Sequence, residues 1–464
     1  MAPTTDSSRT IPSPPPLWRL AWPLFIELTL GVAVGVLGTV LAARESDAAA
    51  AAFSLANNVS ASLFVLFRII GAGIGVVMAQ RLGAGNRPAA DALARAALGA
   101  STWLGGATAL FTALAAGPLL AAMNAPSEVL PLALPFLVAL APTMLLDAWN
   151  SSMASVMRSH LRTRDTLVVM AACQLCHLVL ALPLVPQLGL PGYALALAGG
   201  RLVALAMHLW LWRTTLQLRT RRHDWWRVPR AELAAMLHIG APGAAENIAY
   251  RVGFTMSMAA VAHLGATELA THAYVTQIGL AALMFGLTAG LSVEIVVGQL
   301  IGAGRLQQAD ALVRRALSRG LLVSVAVTGL AALSGPWLLR LFTTEPAILT
   351  LGSALLWWTV LLEPGRTFNL VVINALRAAG DARFPVLAGI ASMVVVLAGG
   401  SWWLGVHLGW GLVGVWVAYA ADEWIRGLAM WARWRWLSWV PHARAVRRRS
   451  RTRLRLRGGD ALQQ

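Results

Sequence analysis

Residues 83–98 read GAGNRPAADALARAAL and residues 302–317 read GAGRLQQADALVRRAL, so that ten of sixteen aligned positions are identical. Shared composition produces scattered alanine matches, but it does not hold one offset over separated segments. The offset of 219 residues also matches six isolated positions: Pro23 with Pro242, Glu27 with Glu246, Gln80 with Gln299, Asn150 with Asn369, Arg158 with Arg377, and Arg164 with Arg383. The chain is therefore built from two related halves.

The composition is that of a membrane protein. Of the 464 residues, 58% are hydrophobic and 12% are charged, and the mean hydropathy is +0.65. A soluble chain carries about 25% charged residues. The low charge excludes a cytosolic enzyme, a disordered protein and a secreted disulfide scaffold, and it indicates a multi-pass helical membrane protein.

Twelve apolar stretches are long enough to cross the hydrocarbon core, which takes about 20 helical residues. We predict spans at 17–43, 50–80, 92–121, 128–156, 165–187, 190–213, 233–264, 268–300, 311–340, 347–376, 384–407 and 410–432. The even-numbered connections carry eighteen arginines, whereas the odd-numbered connections carry only Arg44 and Arg340. By the positive-inside rule, both termini are expected in the cytoplasm.

An even number of spans per half means that both halves enter the membrane in the same sense. Such repeats are related by an axis along the membrane normal, with the substrate site between them. We therefore predict an all-α membrane protein of two six-helix lobes related by a pseudo-two-fold axis. The predicted parts are a disordered N-terminus (1–16), an N-terminal lobe (17–215), a cytoplasmic linker (216–232), a C-terminal lobe (233–437) and an arginine-rich cytoplasmic tail (438–464).

The net charge of +17 comes with no lysine at all, which excludes lysine-based covalent chemistry and a phosphate-binding loop. Eight arginines lie between Arg444 and Arg457, beyond the last span. A basic tail beside a membrane helix is typical of binding to anionic lipid, so we expect no nucleic-acid partner and no part for the tail in transport. Five tryptophans near it fit an interfacial belt: Trp424, Trp431, Trp434, Trp436 and Trp439.

The string Cys173-x-x-Cys176-His177 matches a haem-attachment motif. It lies within an apolar span that offers no room for a covalent haem and no second axial ligand. We interpret it as packing between helices, and we expect no cofactor and no assigned metal, with sodium left open as a coupling ion.

Four segments carry a resemblance to a known family: Pro23-Leu-Phe-Ile-Glu27, Gln80-x-x-Gly-Ala-Gly85, Gly298-Gln-Leu-Ile-Gly-Ala-Gly304 and Ala375-Leu-Arg-Ala-Ala-Gly-Asp381. In register with twelve spans and the duplication, they resemble prokaryotic transporters of the multidrug and toxic compound extrusion family. The resemblance implies a V-shaped pair of lobes that exports organic cations or other amphiphiles, driven by inward proton or sodium flow.

The sequence departs from that family in the first span. Members carry Val-Asp-Thr there, and the aspartate helps to bind the coupling ion, but this chain reads Val36-Leu37-Gly38-Thr39. Glu246 and Glu363 lie about one helical turn from positions where some sodium-coupled members hold carboxylates. The coupling ion therefore stays open between H⁺ and Na⁺.

Charges at membrane depth supply the site candidates, because each costs about 2.5–3.5 kcal/mol on insertion scales. We predict that Glu246 and Glu27 are the essential coupling carboxylates and that Glu363 supports them, while Glu294, Asp422 and Glu423 are interpreted as structural. The candidates for lining the substrate cleft are polar, aromatic or flexible residues: Asn57, Asp147, Trp149, Asn150, Tyr250, Arg251, Tyr274, Gln277, Met284, Phe285, Arg366 and Asn369.

The prediction is a monomeric antiporter of the inner membrane that exchanges an amphiphilic cation for H⁺ or Na⁺. The alternative within the same superfamily is a flippase for a lipid-linked oligosaccharide, which would use Arg68, Arg251 and Arg366 to bind pyrophosphate. A net acidic cleft favours cation export, and a net basic cleft favours the flippase. An enzyme is not expected, since the sequence lacks H-E-x-x-H, G-x-S-x-G and paired-aspartate motifs.

Overall fold

The structure is a computed structural model that describes residues 16–460, with side chains described for these residues except 65, 68, 69 and 451–460. The N-terminal segment that we expect to be disordered lies outside the described residues, apart from Pro16. The described part is almost entirely helical and contains no strand.

Twelve helical segments, each of at least 25 residues, follow one another along the described chain. They are α1 Trp18–Glu45, α2 Asp47–Gly83, α3 Arg87–Ala122, α4 Leu130–Ser159, α5 Thr163–Leu188, α6 Leu190–Thr214, α7 Arg230–Leu264, α8 Ala266–Ala303, α9 Leu306–Leu333, α10 Pro346–Ala378, α11 Arg383–His407 and α12 Gly411–Arg435. Short helices lie at Arg222–Trp225 and Gly335–Arg340, and a last helix, α13, covers Val440–Asp460. Helix α11 becomes π-helical over Met393–Gly399 and Ser401–His407.

Nine of these helices in the described chain are long and apolar enough to cross a membrane. The other three are α2, α7 and α12, whose 37, 35 and 25 residues exceed the length that a span needs. Helix α7 carries Glu246 and Arg251, and α12 carries Asp422, Glu423 and Arg426, which lowers their apolar character. The all-helical membrane fold is confirmed, and the count of twelve spans stays a prediction.

The helices form two lobes with matching internal packing. In the N lobe α4 packs against α2, α3 and α6, and in the C lobe α10 packs against α8, α9 and α12. These are the same helix pairs six positions further along the chain. The predicted two-lobe architecture is confirmed by this repetition.

The end of each second helix is determined by the repeated Gly-Ala-Gly motif. Gly85 follows α2 with φ of +74°, and Gly304 follows α8 with φ of +79°. Residues with a β-carbon rarely adopt this left-handed backbone, whereas glycine does so readily at helix C-termini. The motif therefore stops α2 and α8 at equivalent points, at the end of the bundle that carries the even-numbered connections. We call this the arginine-rich end.

The two lobes touch at the arginine-rich end without intervening side chains. Gly83 of α2 lies directly against the backbone oxygen of Gln299, and Gly302 of α8 lies against the backbone oxygen of Gln80. A β-carbon at either glycine would collide with that oxygen. The contact is reciprocal, because both the glycines and the glutamines are repeat mates. We call these four residues the closure.

The lobes also exchange the beginnings of their first helices. Leu20 of α1 belongs to the hydrophobic core of the C lobe, where it is 2% exposed. Its repeat mate Ile239 of α7 belongs to the core of the N lobe and is 4% exposed. Each core is thus completed by one apolar side chain of the opposite lobe, which stabilises the closed arrangement at the arginine-rich end.

Candidate functional site

The two glutamates predicted as coupling residues are ion-paired in the same way. Glu27 Oε1 lies 2.7 Å from Arg158 Nη1, and Glu246 pairs with Arg377 Nη2. The arginines are repeat mates and lie at the arginine-rich ends of α4 and α10. Thr166 adds a hydrogen bond of 2.9 Å from its hydroxyl to Glu27 Oε2. Both carboxylates therefore already have a cationic partner.

Inside the N lobe a second pair crosses from α4 to α6. Asp147 Oδ1 lies 2.5 Å from Arg201 Nε, and Arg201 Nη1 donates to Cys173 Sγ at 3.4 Å. Asn150 joins the same helices, because its amide donates to the Arg201 backbone oxygen at 3.0 Å and its Oδ1 lies 3.0 Å from His208 Nδ1. This group is electrically neutral when His208 is uncharged.

The C lobe holds a larger charged cluster between α10 and α12, formed by Glu363, Arg366, Asp422, Glu423 and Arg426. Arg366 lies 2.5 Å from Glu363 and 3.1 Å from Glu423. Arg426 lies 2.6 Å from Asp422 and 3.1 Å from Glu423. We call these five residues the C-lobe cluster. It contains three carboxylates and two guanidinium groups, and all five side chains are at most 16% exposed.

Two further hydrogen bonds reach carboxylates of this cluster, but one carboxylate oxygen has no partner in the described structure. Asn369 donates to Glu423 at 2.9 Å, and Ser392 donates to Asp422 at 2.6 Å. Glu363 Oε2 is buried and has no hydrogen-bond partner in the described structure. Within the described residues, His, Cys, Asp and Glu side chains form no group of three able to hold a metal ion.

The repeat reverses the polarity of the pair inside each lobe. Asp147 of α4 is the repeat mate of Arg366 of α10. In the N lobe the carboxylate lies on α4 and the arginine on α6, whereas in the C lobe the arginine lies on α10 and the carboxylate, Glu423, on α12. The halves thus share a helix framework but carry opposite charges at the repeat-mate positions 147 and 366.

Position 38 explains how the N lobe does without the family aspartate. A β-carbon on Gly38 would lie 2.5 Å from Tyr193 Oη and 2.6 Å from Phe53 Cζ. Tyr193 and Phe53 pack edge-to-face at 5.1 Å within an aromatic group that also contains Phe136. Aromatic side chains therefore occupy the space that a carboxylate at position 38 would need.

Two predicted cleft residues lie inside the N lobe instead. The Trp149 indole donates to Thr102 of α3 at 2.8 Å and packs edge-to-face on Trp225 of the linker at 5.0 Å. Asn150 is buried between α4 and α6, as described above. The packing of α4 turns both side chains toward their own lobe, and their assignment to the cleft stays a prediction.

The other candidates divide by exposure. Asn57, Arg251 and Gln277 are exposed, and Arg251 reaches across to α2 with a hydrogen bond of 3.4 Å to the Ala61 backbone oxygen. Tyr250 is half-buried and stacks on Phe254 at 6.0 Å, and Tyr274 stacks on Phe342 at 5.2 Å. Half-buried positions are also held by Met284 and Phe285 on α8, whereas Asn369 is buried against the C-lobe cluster.

Sequence reasoning does not predict that α12 faces Glu363. Asp422 and Glu423, interpreted above as structural, lie with Arg426 in one cluster with Glu363. The available signal was the run Asp422-Glu423-x-x-Arg426 in the last apolar stretch, since a charged turn at that depth needs partners on a neighbouring helix. The side chain of Arg68 lies outside the described part of the structure.

Comparisons with known proteins agree with this architecture. The family model described as MatE matches residues 23–182 and 242–402, and its two blocks begin 219 residues apart. The chain is 30% identical over 430 residues to the uncharacterized transporter YisQ of Bacillus subtilis, covering 91% of this chain and 94% of YisQ. It is 22% identical over 408 residues to the multidrug resistance protein PmpM of Pseudomonas aeruginosa, covering 85% and 83% of the two chains.

Solved structures share the fold. A multidrug resistance MATE family transporter in an outward-facing conformation superposes with a TM-score of 0.82 at 18% identity, covering 91% of this chain and 96% of that one. A MATE structure in a bent conformation gives a TM-score of 0.83 at 18% identity, covering 94% and 96%. From the matched halves, the full-length relatives and the shared fold, we conclude that the chain belongs to the MatE family of multidrug and toxic compound extrusion transporters.

Proposed function

We propose that the protein is an antiporter that exports amphiphilic organic cations in exchange for H⁺ or Na⁺. The support comes from its relatives, which include named multidrug resistance proteins, and from the excess of carboxylates over arginines in the C-lobe cluster. An exporter of this kind needs a buried acidic group that holds either the coupling ion or the substrate cation but not both at once.

The observation that carries the proposal is an unpartnered carboxylate oxygen on Glu363. Its Oε1 pairs with Arg366, but its Oε2 is buried without a partner in the described structure. With three carboxylates against two guanidinium groups, the cluster lacks one positive charge. An uncompensated buried charge is costly, and binding a proton or a small cation removes it. Glu363 is the group to which that cation binds in our proposal.

The arginine partners of Glu27 and Glu246 make these two residues less suitable as coupling carboxylates than Glu363. Protonating Glu27 or Glu246 would leave Arg158 or Arg377 largely buried without its counter-charge. Protonating Glu363 instead leaves Arg366 paired with Glu423. We therefore place Glu363 first and assign Glu27 and Glu246 to the support of helix positions near the closure.

The basic residues do not favour the flippase alternative. That function would need arginines free to hold a pyrophosphate, but Arg366 is engaged by Glu363 and Glu423. Arg251 is exposed, and its guanidinium bonds to Ala61 and Ser62 of α2. The C-lobe cluster is net acidic, which supports the export of cations.

We further propose an inner-membrane location, both termini in the cytoplasm and a monomeric functional unit. The arginine-rich end then faces the cytoplasm, because positively charged connections are retained there. The structure is closed at this end, so the proposed arrangement corresponds to a transporter that is sealed against the cytoplasm.

The test uses proteoliposomes with imposed proton and sodium gradients in separate experiments and ethidium as the transported cation. Purified protein should release protons when ethidium binds, or should show sodium-dependent binding if sodium is the coupling ion. Glu363→Gln should abolish this release and gradient-driven export. Glu128→Gln, in the exposed connection before α4, is the matched control and should behave as wild type. Unchanged proton or sodium coupling in Glu363→Gln would overturn the assignment.

A further inference from the structure

The arginine-rich helix α13 leaves the bundle from a rigid corner. Trp434 at the end of α12 stacks on Trp439 with ring centroids 4.2 Å apart, and the Trp439 indole donates to the Trp434 backbone oxygen at 3.0 Å. Both rings are buried in the C-lobe core, so our prediction that they belong to an interfacial belt is wrong. Trp436, between them, is 78% exposed and remains a candidate for the belt. The stacked pair fixes the starting point of α13.

One face of α13 packs on both lobes. Ala443 is fully buried, Val446 lies against Gly380, and the Arg447 guanidinium lies over Gly304 of the C lobe. The contact with the N lobe comes from Asn86, whose amide donates to the Ser450 backbone oxygen at 3.0 Å. These contacts recur at the three- and four-residue spacing of one helical face.

The helix therefore crosses the closure. Asn86 lies three residues after Gly83, and Gly304 lies two residues after Gly302, so α13 touches each lobe beside its half of the closure. Alternating access requires the two lobes to separate at this end. A helix attached to both lobes must first lose its contact with one of them, and the single described hydrogen bond to Asn86 is the weaker attachment.

Beside this packing face, the helix presents a groove of about 580 Å³ that is lined by Pro441, Arg444, Arg447 and Arg448. Residues 440–459 contain eight arginines and no acidic residue. Like charges three and four residues apart on a helix destabilise it, so this helix requires anions from outside its own sequence. Guanidinium groups bind phosphate oxygens in bidentate fashion, which makes a phosphate the fitting ligand.

The position of the groove favours a lipid headgroup over free phosphate as the ligand. Four residues separate the end of α12 from α13, and an extended chain of that length reaches only about 14 Å. Within this connection, Trp436 and Leu437 are exposed, as expected of side chains at the membrane–water interface. The first turns of α13 thus stay near the headgroup layer.

We propose that α13 is a lipid-dependent strap: anionic phospholipid headgroups bind Arg444, Arg447 and Arg448, and the helix so stabilised holds the two lobes together at the closure. The lipid relieves the repulsion between the arginines, and a ligand that favours the strapped state shifts the population toward the closed arrangement. This replaces our expectation that the tail has no part in transport.

Distances between spin labels measure the effect directly, without any substrate or ion gradient. The labels are placed at Arg162→Cys and Arg315→Cys, one exposed site per lobe at the arginine-rich end, with Cys173→Ala and Cys176→Ala. In phosphatidylcholine nanodiscs, adding phosphatidylglycerol should raise the ratio of closed to separated populations. The rise should be about fivefold for each arginine that binds a headgroup.

Two variants test the two parts of the proposal. The double variant Arg444→Gln/Arg448→Gln should lose most of the response to phosphatidylglycerol. The control, Arg435→Gln with the same two spin labels, removes an exposed charge outside the groove and should keep the full response. Truncation after Trp439 retains the stacked corner and should raise the separated population in every lipid. The strap proposal would be overturned by an equal lipid response in the double variant and the control. It would also be overturned by an unchanged spin-label distance distribution after truncation. Inorganic phosphate reproducing the full shift in phosphatidylcholine alone would overturn the lipid as its source.

Discussion

Gln80 and Gln299, 219 residues apart, make the same hydrogen bond in opposite directions across the two lobes. Gln80 Nε2 donates to the Ala378 backbone oxygen at 2.8 Å, and Gln299 Nε2 donates to the Ser159 backbone oxygen at 2.8 Å. The acceptors are themselves repeat mates at the ends of α10 and α4. The duplication therefore builds the closure twice, once from each lobe, and either half can be tested against the other.

We expect Gln80→Ala and Gln299→Ala to weaken the closure by equal amounts. A buried hydrogen bond contributes about 1 kcal/mol, so each variant should raise the separated population about fivefold, and the double variant should add the two effects. The spin-label distance at the arginine-rich end measures this. Asn374→Ala is the control, because the hydrogen bond that the described structure shows for Asn374 lies within its own helix, to Leu370. A strong effect of one glutamine with none of the other would show that the closure is asymmetric.

The two glutamate–arginine pairs should differ in their contribution to stability. Arg377→Gln leaves Glu246 buried without its partner, which costs about 3–5 kcal/mol. Arg158→Gln should cost less, since Glu27 keeps the Thr166 hydroxyl and Arg158 is 25% exposed, against 14% for Arg377. Thermal unfolding in detergent gives the order.

The control for these pairs is Arg314→Gln, which breaks an exposed pair with Asp310 and should change stability by less than about 1 kcal/mol. Restoring neutrality with Glu246→Gln in the Arg377→Gln background should recover part of the loss. Equal melting temperatures for Arg158→Gln and Arg377→Gln would contradict the difference in burial on which this prediction depends.

Gly38→Ala should lower the melting temperature, because the new β-carbon would meet Tyr193 Oη and Phe53 Cζ. Overpacking of this kind typically costs about 1–3 kcal/mol. Adding Tyr193→Phe removes the nearer atom and should restore part of the stability. Gly35→Ala is the control one helical turn away, where a β-carbon meets no atom within 4 Å. A neutral Gly38→Ala would mean that the aromatic group yields easily.

Reporter fusions should place the linker and the tail on the same side of the membrane. The arginine distribution predicts that fusions after Arg222 and after Arg457 are both cytoplasmic, whereas a fusion after Glu128, in an odd-numbered connection, is not. Alkaline phosphatase activity reports the outer side. Activity at either of the first two sites would overturn the predicted orientation and the even number of spans per lobe.

Several features of the protein follow from its sequence alone. The apolar composition requires a membrane fold, and the constant offset between the Gly-Ala-Gly motifs requires two similar lobes. Composition is a sum over the chain and the repeat is a regularity along it, so neither requires knowledge of how the helices pack. The choice of Glu27, Glu246 and Glu363 as charges that need an explanation is of the same kind, because depth in an apolar stretch is visible in the sequence.

The partners of those charges were decided only by the tertiary structure. Glu246 and Arg377 are 131 residues apart, as are Glu27 and Arg158, and nothing local links them. Which side chains meet depends on how α1 and α7 rotate against the ends of α4 and α10. In the same way, the orientations of α4, α6 and α12 turn Trp149 toward the linker, place Tyr193 beside Gly38, and bring Asp422 and Glu423 to Glu363. The depth of a residue in its helix is visible in the sequence, but helix rotation results from the simultaneous packing of all neighbours. Rotation determines which charges are paired and leaves one oxygen of Glu363 without a partner in the described structure.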